Sequence, residues 1–319
     1  MSYALLFPGQ ASQHVGMGAD FCRLSPAAAA VMQAAECATG LPLRRVMAGG
    51  PLELLIQTRY AQPAVVATSL AALVALRERL AHWPRPASFC AGHSVGELAA
   101  LVGADALDME TALRLVARRS QLMAEACDRV QGGMAAVLGL DEDAVRELCR
   151  EASQSTDRSL QLANLNAPGQ MVVSGHCEAL AWLEREAPKR GARRVLPVAV
   201  GGPFHSAYMR PAADAFASET AATPLRAPRV PVVLNQTARA THDPAEIRRE
   251  LAEQVAAPVR WSDSLRAMAG AGCELFLELG PGRVLAGTVR RTLPEACVIS
   301  VSDEAGLELA VAALSRLGG

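Results

Sequence analysis

The chain has 319 residues, 51% of them hydrophobic, and a formal net charge of −1. That length holds one large domain or two ordinary ones with a full core. So even a charge balance gives no reason to expect a nucleic-acid or membrane-surface partner. The segment Met1 to Pro8 has no basic lead and only a short apolar run, so no signal peptide is expected. No apolar stretch reads as a transmembrane span, and the cytoplasm is the expected compartment. Eight cysteines are scattered without C-x-x-C spacing, which argues against a zinc site or a disulfide framework and favours small buried apolar residues.

In chain order, Ala4 to Phe7 reads as a buried strand broken by Pro8-Gly9. Ser25-Pro26 opens a helix, with serine as the cap and proline at the first helical position. Gln62 to Leu80 reads as a long, apolar, central helix. Phe89-Cys90-Ala91 then leads into Gly92-His93-Ser94-Val95-Gly96, followed by the helix-forming run Glu97 to Leu101. Strand, Gly-x-Ser-x-Gly and helix together are the layout of a nucleophile elbow, which exposes the serine at a tight turn. The pattern alone arises by chance in roughly one chain in ten of this length, so the strand before and the helix after carry the inference. Asp108 caps a helix reaching about Cys127.

The rhythm then changes. Met134–Leu138, Leu160–Leu165, Gln170–Val173 and Arg194–Val200 read as strands, with helices at Glu142–Glu151 and Cys177–Glu186. The order βαββαβ is the ferredoxin-like pattern. A strand at Pro231–Leu234, helices from about Ala245 and Ser262, and a strand at Cys273–Leu279 follow. Gly280-Pro281-Gly282 then turns into what reads as the last major helix. Strand–helix alternation implies a mostly parallel sheet covered on both faces. The expected fold is α/β: an α/β-hydrolase-like large domain over residues 1–129 and 201–319, with a ferredoxin-like subdomain inserted over 130–200.

A serine hydroxyl needs a base within hydrogen-bond reach. Of His14, His82, His93, His176, His205 and His242, the candidate best placed is His205, in a loop just after a predicted strand, where α/β sheets put catalytic groups. His93 sits inside the elbow itself, where its ring is poorly placed to serve Ser94. On the Asp108 helix, Met109, Leu113, Val116, Met123 and Cys127 form one apolar stripe. Arg118 points away from it, and Arg119 lies about 80° from its centre. Arg119 therefore has two readings: a surface salt bridge, or a planar fork gripping a carboxylate.

Seven motifs occur together and in order: Phe7-Pro8-Gly9-Gln10-Ala11-Ser12-Gln13, the Gly92–Glu97 elbow, Arg119, Asn166-Ala167-Pro168-Gly169-Gln170, Pro203-Phe204-His205-Ser206, Gln254 with Pro258-Val259-Arg260-Trp261, and Glu278-Leu279-Gly280-Pro281-Gly282. Over nearly the whole chain, this set resembles the malonyl-CoA:acyl carrier protein transacylases and the related acyltransferases of polyketide synthases. The resemblance implies Ser94 as the nucleophile and His205 as its base. It implies no acidic third member; the imidazole would be oriented by carbonyl oxygen near Gln254. The N–H groups of Gln10 and Val95 would form the oxyanion hole, and Arg119 would hold the malonyl carboxylate. Gln254, Phe204, His93 and Asn166 would line the substrate site, with Phe204 favouring malonyl over bulkier units. Ala11 stands where the family usually has glycine. Malonyl-CoA and an acyl carrier protein are the implied partners, with no metal and no cofactor beyond the carrier's own phosphopantetheine, and a monomer is implied.

Lys189, Arg190, Arg193 and Arg194 form a basic cluster that could meet an acidic carrier or be a solvated helix end. A polyketide synthase or malonate decarboxylase acyltransferase would share this chemistry. A carrier-protein acyl hydrolase would not need Arg119.

Overall fold

The computed structural model describes residues 2–80 and 85–317; His82 lies outside them. The larger sheet contains β1 (Ser2–Phe7), β2 (Phe89–Gly92), β7 (Val232–Val233), β8 (Ala240–Thr241), β9 (Cys273–Leu279) and β10 (Cys297–Val301). Its order is β10-β9-β1-β2-β7-β8, parallel except for the antiparallel edge strand β8. Side-chain alternation sends the two faces into two cores. Tyr3, Leu5 and Phe7 of β1 join a large cluster with the helices Pro26–Thr39, Thr58–Arg79 and Gly96–Gly103. Ala4 and Leu6 face Trp261, Leu265, Leu285 and Val289, from the helices Trp261–Gly270 and Val284–Thr292.

The helix Thr58–Arg79 begins four residues before its expected start and carries Pro63 within it. Its length and hydropathy suit a membrane span, but 83% of its apolar window is packed inside the fold, so core burial accounts for its composition. The caps read from sequence are made: Ser25 accepts from Ala28 N–H, and Asp108 from Thr111 N–H.

The second sheet holds β3 (Gly132–Leu138), β4 (Leu160–Ala167), β5 (Gln170–His176) and β6 (Arg194–Pro197). Its order is β4-β5-β3-β6, antiparallel throughout, as the βαββαβ pattern requires. One face packs on the helices Glu142–Thr156 and Cys177–Glu186 through Val137, Leu162, Val173, Val145 and Leu183. The other face turns Met134 and Val172 toward the main core. Two backbone hydrogen bonds stitch β4 to the larger body, Leu165 N–H to Val259 O at 2.9 Å and Val259 N–H to Ala163 O at 2.8 Å.

Three expectations change. The strand expected to run to Val200 stops at Pro197; Val198 N–H still bonds Met134 O of β3 at 3.0 Å, and Val198 and Val200 line a cleft. The helix after Gly282 is not the last: β10 adds to the sheet edge beside β9, and the helix Glu304–Ser315 follows, capped by Asp303. The cysteines are all free, but only Cys90, Cys149 and Cys273 are buried, while Cys37, Cys177 and Cys297 are exposed.

Candidate active site

Parallel strands collect functional groups at their carboxyl ends. Here β1 ends in Gly9-Gln10, β2 in the elbow, and β7 two residues before Asn235. The elbow is forced by its glycines. A Cβ on Gly92 would overlap the backbone of Gly96 and Glu97, and one on Gly96 would overlap the carbonyls of Phe7 and Pro8. Ser94 itself sits at φ 52°, a left-handed conformation that costs a non-glycine residue about 1–2 kcal/mol.

Asn235 holds that turn. Its side chain accepts from Ser94 N–H at 2.7 Å and donates to Gly92 O at 2.7 Å. No motif in the sequence singled it out. The pairing spans 141 residues, and an asparagine after a short strand reads as an ordinary turn residue.

The Ser94 hydroxyl lies 2.8 Å from His205 Nε2. The other ring nitrogen, Nδ1, faces two carbonyl oxygens, Gln254 O at 2.7 Å and Ala257 O at 3.1 Å. Carbonyls only accept, so Nδ1 carries the proton and Nε2 is left bare to receive one from serine. His205 is buried, and desolvation first, then the nearby Arg119 charge, lowers its pKa to about 3. The imidazole is therefore neutral at physiological pH. His205 also adopts φ 57°, so both members of the dyad are held in the left-handed region.

Arg119 resolves its two readings against the surface salt bridge. It is 1% exposed, its pKa is lowered to about 10 by burial, and it forms no ion pair among the described residues. Its guanidinium donates to Gln62 Oε1 at 2.6 Å, Gln254 Oε1 at 3.1 Å and Ser94 Oγ at 3.2 Å, while its Nε–H has no partner. Arg118 does turn to the surface, pairing with Glu219 at 3.0 Å. Gln254 is a hub. Its backbone oxygen holds His205, its Oε1 receives Arg119, and its Nε2 donates to Ser94 O at 3.1 Å and to Glu97 Oε2 at 2.8 Å.

A cavity of about 130 Å³ opens on Ser94 and His205 between the two sheets. Gln10, Val95, Phe204, His93 and Asn166 all line it, with Met134, Val172 and Val198 from the second sheet and its exit. Neither Gln10 N–H nor Val95 N–H has a protein acceptor among the described residues. His93 does not serve Ser94: its Nε2 lies 2.9 Å from Asn166 Oδ1, and its ring meets Trp261 edge-on at 5.5 Å. Ala11 takes φ 79°, a conformation that suits glycine and explains the preference there. His14, His176 and His242 serve the backbone of loops and a helix start away from Ser94.

Known proteins resemble this chain over nearly its whole length. The profile of the acyl transferase domain family matches residues 4–310. A malonyl CoA-acyl carrier protein transacylase of Bacillus subtilis is 37% identical over 313 residues, covering 98% of this chain and 97% of its own. The solved malonyl CoA-acyl carrier protein transacylase of Coxiella burnetii superposes with a TM-score of 0.93 at 35% identity, covering 100% of this chain and 98% of its own. A malonyl-transacylase solved with its type II polyketide synthase acyl-carrier protein gives a TM-score of 0.93 at 35% identity, covering 98% of this chain and 100% of its own.

Proposed function

The chain belongs to the acyl transferase domain family, and from that premise we propose that it moves a malonyl group from malonyl-CoA to the phosphopantetheine thiol of an acyl carrier protein through an acyl-serine intermediate. One observation carries the reading. The Ser94 hydroxyl touches, at once, a bare imidazole nitrogen and a buried guanidinium that bonds no carboxylate among the described residues. The first makes a nucleophile; the second selects an acyl group that brings its own carboxylate.

His205 Nε2 takes the serine proton as Oγ attacks the thioester carbon. The negative oxygen that forms is received by the N–H groups of Gln10 and Val95, which no acceptor among the described residues claims. Collapse expels the thiolate of CoA, which His205 protonates. The carrier's thiol then repeats the sequence in reverse. Thioester to ester to thioester is nearly balanced in free energy, so the reaction calls for neither ATP nor metal. The dyad needs no acidic third member, because the carbonyls of Gln254 and Ala257 fix the ring and its tautomer.

Phe204, buried beside His205 on the cavity wall, supports a preference for malonyl over branched units. A carrier of a polyketide system is a second reading, favoured by the likeness to the transacylase solved with such a carrier. Relative transfer rates to fatty-acid and polyketide carriers separate the two. Hydrolysis fits less well, since release to water gives no use to a buried carboxylate clamp.

The test is intact mass spectrometry after brief incubation with malonyl-CoA or acetyl-CoA, on the wild type and on Ser94→Ala. One malonyl group on the wild type, none on the variant and little acetylation is the expected result. Release of CoA without a trapped adduct would indicate a hydrolase instead.

A further inference from the structure

Among the described residues, Glu97 is the one carboxyl built into the catalytic hydrogen-bond network, and the reaction as derived does not use it. It opens the elbow helix Gly96–Gly103, three residues past the nucleophile, and is fully buried. Its Oε2 accepts from Gln254 Nε2 at 2.8 Å, the backbone N–H of Asn235 also favours its ionised form, and among the described residues its Oε1 completes no hydrogen bond. The same Gln254 amide receives Arg119 on its oxygen at 3.1 Å. Arg119 and Glu97 are thus the two ends of one bridge, a buried cation and a buried acid joined through a neutral amide.

The charged groups bearing on Glu97 are few. Arg119, from the helix Met109–Cys127, favours its ionised form; Glu250, from the helix Pro244–Glu253, disfavours it. β1, β2 and the helix Thr58–Arg79, which also pack on the elbow helix, contribute no charge to it. Glu250 is itself buried and bonded to Thr237 Oγ1 at 3.2 Å.

We propose that Glu97 is a specificity-determining residue: where it is ionised it is the counter-charge of Arg119 in the unloaded site, and there it takes up a proton from solvent when a carboxylate-bearing acyl group is placed on Ser94. The inference rests on the malonyl-transfer reading. Its physical basis is that two carboxylates cannot both stay ionised cheaply around one buried cation. An acyl carboxylate bonded directly to Arg119 holds the guanidinium more closely than Glu97 does through Gln254, so Glu97 is the one that is neutralised. The proton count is plain. The serine proton leaves with CoA as its thiol, and the proton gained by Glu97 comes from bulk water. Burial already raises the Glu97 pKa to about 8, which sets where the effect appears. Below that pH the acid is neutral before and after loading, and the acyl carboxylate has no rival. Above it, loading a carboxylate must draw in a proton, whereas loading acetyl need not.

The experiment equilibrates the protein with a fixed mixture of malonyl-CoA, acetyl-CoA and free CoA, and reads the ratio of malonyl to acetyl adducts on Ser94 by intact mass. The pH runs from about 6 to about 9, where the acyl carboxylate stays ionised and Arg119, lowered to about 10, keeps most of its proton in both proteins. For the wild type, a level ratio below about pH 7 and a fall of up to tenfold per pH unit above about pH 8 is expected. For Glu97→Gln, which keeps an acceptor for Gln254, a level ratio throughout is expected. A level wild-type ratio, or the same slope in the variant, overturns the inference while malonyl transfer stands. Absence of any malonyl adduct overturns both. Should the variant not fold, proton uptake by the wild type in weak buffer at about pH 9 decides, since malonyl loading must take up more protons than acetyl loading. Equal uptake overturns the inference.

Discussion

Arg119 carries its charge to a place where it is 1% exposed and meets only neutral acceptors, Gln62, Gln254 and Ser94. Hydrogen bonds to a charged group are worth about 1.5–3 kcal/mol each, and a buried charge left short of partners forfeits that. An acyl group with a carboxylate supplies the missing partner; acetyl does not. Arg119→Ala should therefore cut malonyl loading about 100-fold while acetyl loading changes little. Adduct ratios from the two thioesters measure it, and an unchanged ratio would remove the clamp. His205 gives a pH prediction of defined sign. Its pKa is lowered to about 3, so the base form persists as pH falls. Single-turnover acylation of Ser94 should stay level from about pH 7.5 to about pH 5, where a histidine of ordinary pKa near 6.5 would already have lost more than tenfold. An inflection near pH 6.5 would mean that water reaches the ring.

The elbow is a property of elements, not of Ser94 alone. The strand β2 and its helix can approach only because Gly92 and Gly96 lack side chains, and Asn235 from the end of β7 pins the strained turn. Asn235→Ala would leave the Ser94 N–H and the Gly92 carbonyl unpaired in a buried place. A loss of about 3 kcal/mol in urea unfolding is expected, with slower acylation of Ser94. A variant with unchanged stability would show that water replaces the amide. The glycines, the strand–turn–helix layout, the Asp108 cap and the βαββαβ order were all legible in the sequence, because each is a local pattern of spacing or capping. Asn235 and the bridge from Glu97 to Arg119 were not. Their partners lie far away along the chain, and Glu97 looks like an ordinary residue in the first turn of a helix. The helix Arg210–Ala222 and the helix Glu304–Ser315 were missed for a different reason. Both are alanine-rich with weak polar contrast, although Asp303 did offer a cap that could have been read.

At the scale of the whole molecule, the cleft lies where the second sheet meets the carboxyl ends of the first, so a carrier must reach Ser94 past surfaces from both. Of the basic cluster read from sequence, Arg194 begins β6, and the chain beyond β6 reaches the cavity wall at Val198 and Val200. Half of the cluster's charge is already spent inside the subdomain. Lys189 pairs with Glu186 at 2.7 Å and Arg190 with Glu151 at 2.8 Å. Arg193 and Arg194 form no ion pair among the described residues, so they are the two that can attract an acidic carrier. Exposed charges are screened within about 10 Å at 0.1 M salt. Transfer to the carrier should therefore slow as salt rises, while loading from malonyl-CoA responds less. Arg193→Glu with Arg194→Glu should raise the KM for carrier about tenfold, since two reversed charges each change a surface interaction by up to about 1 kcal/mol. The same pair should leave the acyl-serine yield from malonyl-CoA as it is, because neither side chain reaches the cavity. If KM for carrier is unmoved while salt still slows transfer, the attraction comes from another face of the molecule.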